Sequence, residues 1–284
     1  MWNFGVSEKQ IELQSPIIEQ CDDAIDMWLK YFPFESTWIQ NNYGVPSILI
    51  RLDCVVNANG KLELYEVEER PCGAGLVSKF NPFFKDRLDS VRKSWPDFEA
   101  VVSPERKYSD DLEWLPSYGG NGSLVLVRAE PYEKEFHHFQ SRSVSTIVTE
   151  GDKRYGVGMG LWSLVTPESF QNDEIWKMPF CIKPLKGSKC MNLEIWHPES
   201  RFKSGFGVSS RGRILKAIER EQRMYLQKFI EPMKVDGFEG NMIYRIYFGF
   251  DLLKKKYEYI GGCYNVRSSF KIHGASDSVF GPVV

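Results

Sequence analysis

The chain has 284 residues, 42% hydrophobic and 14% aromatic, which is enough to bury a large core in one big domain or two small ones. With 26% charged residues the formal net charge is only −2, so no one-signed field points to nucleic acid or to an anionic membrane. Aromatic and basic residues do not interleave in a stripe, and no apolar run approaches the ~20 residues of a membrane span, so neither partner is expected.

The N-terminal MWNFGVSEKQIELQS lacks a basic segment leading into an apolar one, and no signal peptide is read there. Ser15-Pro16 then opens a predicted helix, IIEQCDDAIDMWLKYF, with Ser15 as cap, Pro16 at the first position and Pro33 as its end. SILIRLDCVV is short, apolar and β-branched, the pattern of a strand. NANG at 57–60 is a turn signal, and KLELYEVEE alternates as a second strand. Glycines and Pro71 break the pattern before NPFFKDRLDSVRKSW resumes a helix capped by Asn81.

The polar, glycine-rich stretch 103–122 suits a boundary. After it, SLVLVRAEP, EKEFHHFQSR and VSTIVTE read as strand, helix and strand, a βαβ-like layer. MPFCIK is a strand running into a small-residue turn. SRGRILKAIEREQRMYLQKFIEP is a helix and a short strand, and NMIYRIYFGFDLLKKKYEYIGGCYNVRSS is two strands around a lysine-rich turn. KIHGASDSVFGPV reads as a loop. The fold class is α+β, with antiparallel hairpins and one smaller α/β layer.

The chemistry is sought first among the acids. Alternation in a strand puts Glu66 and Glu68 on one face, and pairing through NANG brings Asp53 beside them. Three carboxylates so placed repel unless cations screen them, and hard oxygens with few histidines nearby suit Mg²⁺. A solvated acidic hairpin would carry the same residues. Lys183 ends an apolar strand beside LKGSK, where it can reach a phosphate or simply snorkel at a strand edge. The Walker A spacing is absent. Arg245 and Arg267 sit within β patterns and need a carboxylate or a ligand phosphate. His137, His138, His197 and His273 form no nucleophile or metal pattern, and no G-x-S-x-G occurs. Cys21, Cys54, Cys72, Cys181, Cys190 and Cys263 are scattered without C-x-x-C or zinc spacing, so reduced, mostly buried thiols in a cytoplasmic protein are expected.

Taken together, RLDCVVNANGKLELYEVEERPCG resembles the metal-binding hairpin of ATP-grasp enzymes, and MPFCIKPLKGS resembles their ATP-binding lysine strand and phosphate loop. YLQKFIEP resembles the linker that borders adenine, and YRIYFGF with YIGGCYNVRSSFKIHGASD resembles the late strands that bring arginine to the phosphates. The hairpin comes first here, an order similar to the circularly permuted members, eukaryotic glutathione synthetase and glutathionylspermidine synthase. Such an order leaves a core unchanged when the same strands meet.

The resemblance implies an ATP-grasp fold divided at 1–110 (metal-binding half), 111–176 (α/β substrate-side layer) and 177–284 (lysine and linker half). It implies Asp53, Glu66 and Glu68 as Mg²⁺ ligands, with Glu68 where the family has Asn. It implies Lys183, Arg245 and Arg267 on phosphates, and Gln227, Lys228, Phe229 and Ile230 around adenine. Arg51, Arg70, His273 and Ser276 fall on the substrate side, with Asp277 beside them. The activity implied is an ATP- and Mg²⁺-dependent ligase that joins a small-molecule or peptide carboxylate to an amine through an acyl-phosphate. A nucleotide-binding relative without turnover and a small-molecule kinase remain alternatives, and a homodimer is the default assembly.

Overall fold

In the computed structural model of the chain, the described residues are 5–32, 47–57, 59–69, 71, 73–94, 98–102, 124–128, 145–147, 153–185, 193–199, 207–234, 237, 240–270 and 277–284. Strand β1 (Gly5–Val6) precedes helix α1 (Ser15–Tyr31), and the hairpin β2 (Leu49–Val56) and β3 (Leu62–Glu68) follows. Next come α2 (Ala74–Phe80), α3 (Pro82–Ser94), β4 (Phe98–Val102), β5 (Leu124–Arg128), β6 (Ser145–Ile147), α4 (Tyr155–Gly158), β7 (Trp162–Val165), β8 (Phe180–Pro184) and β9 (Glu194–Trp196). Then α5 (Arg211–Glu221), β10 (Met224–Lys228), β11 (Asn241–Asp251), β12 (Lys256–Arg267) and β13 (Val279–Val283) complete the order.

Three sheets result: a six-stranded one ordered β1-β13-β12-β11-β2-β3, a four-stranded one ordered β7-β10-β8-β9, and a three-stranded one ordered β4-β5-β6. The four-stranded sheet is antiparallel, and so is the six-stranded one apart from the parallel pair β1–β13. The three-stranded sheet is parallel, as the βαβ reading of SLVLVRAEP and VSTIVTE requires, and its first strand, β4, lies ahead of the polar stretch 103–122. The helix read over EKEFHHFQSR lies outside the described residues.

The core follows from patterning. Helix α1 places Cys21, Ile25 and Trp28, at spacings of four and three, into the core of the six-stranded sheet, where Leu52, Cys54, Tyr244, Ile246 and Phe248 are also buried. Burial lifts the Cys21 thiol to about 12 and Cys263 to about 11. Cys21, Cys54, Cys181 and Cys263 form no disulfide, while Cys72 and Cys190 lie outside the described residues. Helix α3 packs Phe84 against Tyr247, 5.0 Å between ring centroids, and Val91 against Gly249. A Cβ on Gly249 would come within 2.4 Å of Val91, so the glycine sets how closely α3 approaches β11.

Asn81 caps α3 as the sequence suggests: its Oδ1 accepts from the Phe84 N–H at 3.1 Å. Its amide also donates to the Gly262 and Val283 carbonyls, both at 2.9 Å, and so ties the helix to the middle of the sheet. Asn81→Ala is expected to cost about 2 kcal/mol in urea denaturation, since it removes a cap and leaves buried acceptors unmet. Asn81→Asp keeps the cap but loses both donors, and is expected to recover less than half of that.

Three local expectations are corrected. The α1 cap is Gln14, without a side-chain bond, and Ser15 is already helical, with Pro16 within the first turn. Helix α2 was not expected, because AGLVSKF follows a glycine and Pro71; it starts from Gly73, whose φ of 91° only glycine adopts at little cost. The segment ending VFGPV is not all loop: β13 pairs with β12 and β1. Pro282 hides it in the sequence, yet its carbonyl accepts from Ile11 N–H at 3.0 Å, so its missing N–H faces the irregular residues after β1 rather than β12.

Candidate active site

Register places the charged residues. Asp53 on β2 lies between Glu66 on β3 and Arg245 on β11, and Arg245 is opposite Cys263 on β12. One step along, Arg51 lies between Glu68 and Tyr247. Directly paired residues share a face, so Glu66, Glu68, Asp53, Arg51 and Arg245 form two adjoining rows on one side of the sheet. The three carboxylates read as neighbours in the sequence are neighbours here.

A bulge shapes the seam next to them. The register slips between Asp53 and Cys54, leaving Tyr65 as the extra residue of β3. β3 is an edge strand, and side chains from the second sheet and from α4 bond to its outer backbone groups. Lys183 Nζ donates to the Tyr65 carbonyl at 3.0 Å, and Gln227 Nε2 reaches the Leu64 and Tyr65 carbonyls at 3.3 Å. The Tyr155 hydroxyl donates to the Val67 carbonyl at 2.8 Å and accepts from its N–H at 3.1 Å. The Tyr65 hydroxyl donates to the Ile230 carbonyl at 3.0 Å. Four-stranded and six-stranded sheets therefore meet along β3, immediately beside Glu66.

This docking delivers two lysines to Glu66. Lys153 lies 2.8 Å from Oε2, and Lys183, at the end of β8, lies 3.8 Å from it. Lys183 is buried and stands 4.3 Å above the Trp162 ring, while the Trp162 indole N–H donates to the Lys153 carbonyl at 3.1 Å. Burial works against the ionised form of Glu66, but Lys153 and Lys183 outweigh it and hold its pKa down at about 2. Glu68 moves the other way, to about 7, through burial and then the charge of Glu69, with Arg51 opposing and Glu66 adding. Two carboxylates two residues apart are thus driven in opposite directions. Arg51 grips both oxygens of Asp53, at 2.5 and 2.9 Å, and its guanidinium lies 6.0 Å from the Tyr247 ring.

Other sequence-predicted residues are not gathered here. Arg267 is four residues along β12 from Cys263, on the order of 13 Å away, and donates to Asp277 at 2.9 Å. Gln227 is buried and spent on the β3 edge, and Lys228 is exposed. Phe229 packs its ring against Phe270 and His197, its N–H donating to the Pro179 carbonyl. Several polar groups of the segment expected to border adenine are therefore already engaged. Arg70, His273 and Ser276 lie outside the described residues. Lys153 was missed by sequence reasoning, and only GDKRYG, a basic pair before a glycine, hinted at it.

The donor set suits magnesium in kind, because Asp53, Glu66 and Glu68 offer hard carboxylate oxygens on one face. Its arrangement is less complete: Arg51 and Lys153 hold Asp53 and Glu66, and among the described residues no group of three or more His, Cys, Asp or Glu side chains is gathered to hold a metal ion. No helix of the described residues is long and apolar enough to cross a membrane.

No protein-family model and no curated protein matches the chain. Among solved structures, the chain is similar to a provisionally assigned gamma-glutamylcysteine synthetase of Methylobacillus flagellatus KT, with 12% identity and a TM-score of 0.46, over 89% of this chain and 82% of that one. It is also similar to the D-cycloserine synthetase DcsG, with 14% identity and a TM-score of 0.31, over 61% of this chain and 65% of that one.

Proposed function

We propose that the chain is an ATP- and Mg²⁺-dependent ligase that joins a carboxylate to an amine, with the reaction seated on the face carrying Asp53, Glu66 and Arg245. One observation carries the reading. The seam between two sheets sets carboxylates from β2 and β3 against Lys153 and Lys183 from the other side, within 2.8 and 3.8 Å of Glu66. Mixed charge of this kind, fixed and partly buried, is what a triphosphate with divalent ions needs around it.

In this reading the substrate carboxylate attacks the γ-phosphorus of ATP, ADP leaves, and an amine then displaces inorganic phosphate from the acyl-phosphate, losing a proton. No protein nucleophile is required. Lys183 holds phosphate oxygens, and Arg245 meets the charge that develops on the acyl-phosphate. Arg267, as placed, joins them only through a movement that frees it from Asp277. Asp53, Glu66 and Glu68 would hold Mg²⁺, which when bound supplies charge neutralisation between the phosphates. Arg51 positions Asp53, and Lys153 positions Glu66.

A second reading, a nucleotide binder without turnover, is favoured by the grip of Arg51 on both Asp53 oxygens, which competes with metal binding. Thermal denaturation and ADP release separate the readings. At 100 times its dissociation constant, Mg·ATP is expected to raise the melting temperature by about 4 °C. A ligase then releases ADP only when a pool of carboxylates and amines is added, whereas a binder shows the thermal shift and no release. No shift with Mg·ATP removes both readings.

A further inference from the structure

Asn265 is fully buried on β12, and neither its Nδ2 nor its Oδ1 has a hydrogen-bond partner. Among the described residues it is the one side chain whose amide is orphaned at both ends. It lies opposite Ile243 on β11 and Phe280 on β13. It is two residues along β12 from Cys263, the partner of Arg245, so it shares their face and is the diagonal neighbour of Arg245, on the order of 7 Å away. Arg245 has an orphaned, buried Nε of its own. Two adjacent polar side chains on the face of the candidate site thus present buried groups with nothing to bind.

A buried amide without partners destabilises the free chain, and an apolar residue of the same size would not. We infer that Asn265 is a substrate-binding residue, and that with Arg245 it reads a carboxylate carrying an adjacent amino group. The guanidinium pairs with the carboxylate. The amide N–H donates to the same carboxylate, and the amide oxygen accepts from the ammonium. A phosphate or a plain carboxylate would meet the N–H but leave the oxygen unmatched, so an amide unpartnered at both its donor and its acceptor favours an amino-acid-like ligand. That substrate class rests on the ligase reading above; the unmet amide does not.

The test is thermal denaturation of the full chain, wild type and Asn265→Leu. Each protein is melted alone, with magnesium and a non-hydrolysable ATP analogue, and with both plus each proteinogenic amino acid or its deamino carboxylic acid. Alone, the leucine variant is expected to melt about 3 °C or more above wild type. The nucleotide raises both proteins alike. At least one amino acid then raises wild type further than its deamino counterpart does, and the variant loses that difference.

A lower melting temperature for unliganded Asn265→Leu overturns the inference, because it means that water or protein already satisfies the amide. Asn265→Val, with a side chain that strands favour, decides the same point should leucine not fit. An amino-acid preference absent in wild type, or unchanged in the variant, also overturns it. Absence of any nucleotide response in wild type removes the ligase reading instead, and the unliganded comparison still decides whether Asn265 awaits a ligand.

Discussion

Lys183→Met is expected to lower ATP turnover by about 10²- to 10³-fold and to abolish most of the Mg·ATP thermal shift, with only a small loss of stability. Methionine keeps the length of the lysine stem. Its unbranched chain fills the slot over Trp162, where the lysine ammonium stands 4.3 Å from the ring, so packing survives. What goes is one cation 3.8 Å from Glu66 and one donor to the Tyr65 carbonyl. Lys153 still pairs with Glu66 at 2.8 Å, so the carboxylate is not stranded. A phosphate is harder to satisfy, because a buried cation at the sheet seam is a fixed charge that solvent cannot replace. Lys177→Met serves as control, since that lysine is exposed and bonds only to Glu174 on its own turn. If Lys183→Met binds and turns over Mg·ATP as wild type does, the phosphates lie elsewhere.

Much of this site was legible in the sequence because strands obey a period of two. Glu66 and Glu68 share a face by alternation alone, but the register set at the turn pairs Cys54 with Leu64, and it is the bulge at Tyr65 that brings Asp53 opposite Glu66. The long strands β11 and β12 announce themselves by aromatic and β-branched residues around a lysine-rich turn, and the Asn81 cap by its place before Pro82. What stayed hidden depends on contacts between distant segments. Lys153 reaches Glu66 across 87 positions, and Lys183 reaches Tyr65 across 118. No local pattern encodes either.

The Tyr65 bulge is likewise silent, because EVEE on one side and LEL on the other alternate correctly and only the partner strand reveals the slip. One competing contact is legible from spacing alone. Arg51 and Asp53 are two apart on one strand, so they share a face and were bound to compete with any metal for the same oxygens. Arg267 shows the reverse error: it shares a strand and a face with Cys263, but four residues of strand carry it away from Arg245, to Asp277.

The second large effect concerns Glu66 and Glu68, which are expected to respond to the same substitution with opposite signs. Glu66→Gln keeps shape and hydrogen-bonding capacity but removes the charge that faces Lys153 and Lys183 at 2.8 and 3.8 Å. A folded pKa of about 2 against the ordinary 4.5 corresponds to about 3 kcal/mol at neutral pH. Because the folded pKa is depressed, that stability is complete above about pH 4.5 and is lost as pH falls through about 2.

Glu68 is raised to about 7, so its proton favours the folded state. The benefit is complete below the ordinary 4.5 and disappears as pH rises through about 7, beyond which the ionised carboxylate opposes folding. Glu68→Gln is therefore expected to be more stable than wild type at pH 8 and equal to it near pH 4, while Glu66→Gln is less stable than wild type at both pH 8 and pH 5. Urea titrations at pH 4, 5 and 8 measure all of these differences. Two variants that shift stability in the same direction at pH 8 would mean that the lysines do not single out Glu66, and the charge arrangement assigned to the seam would be wrong.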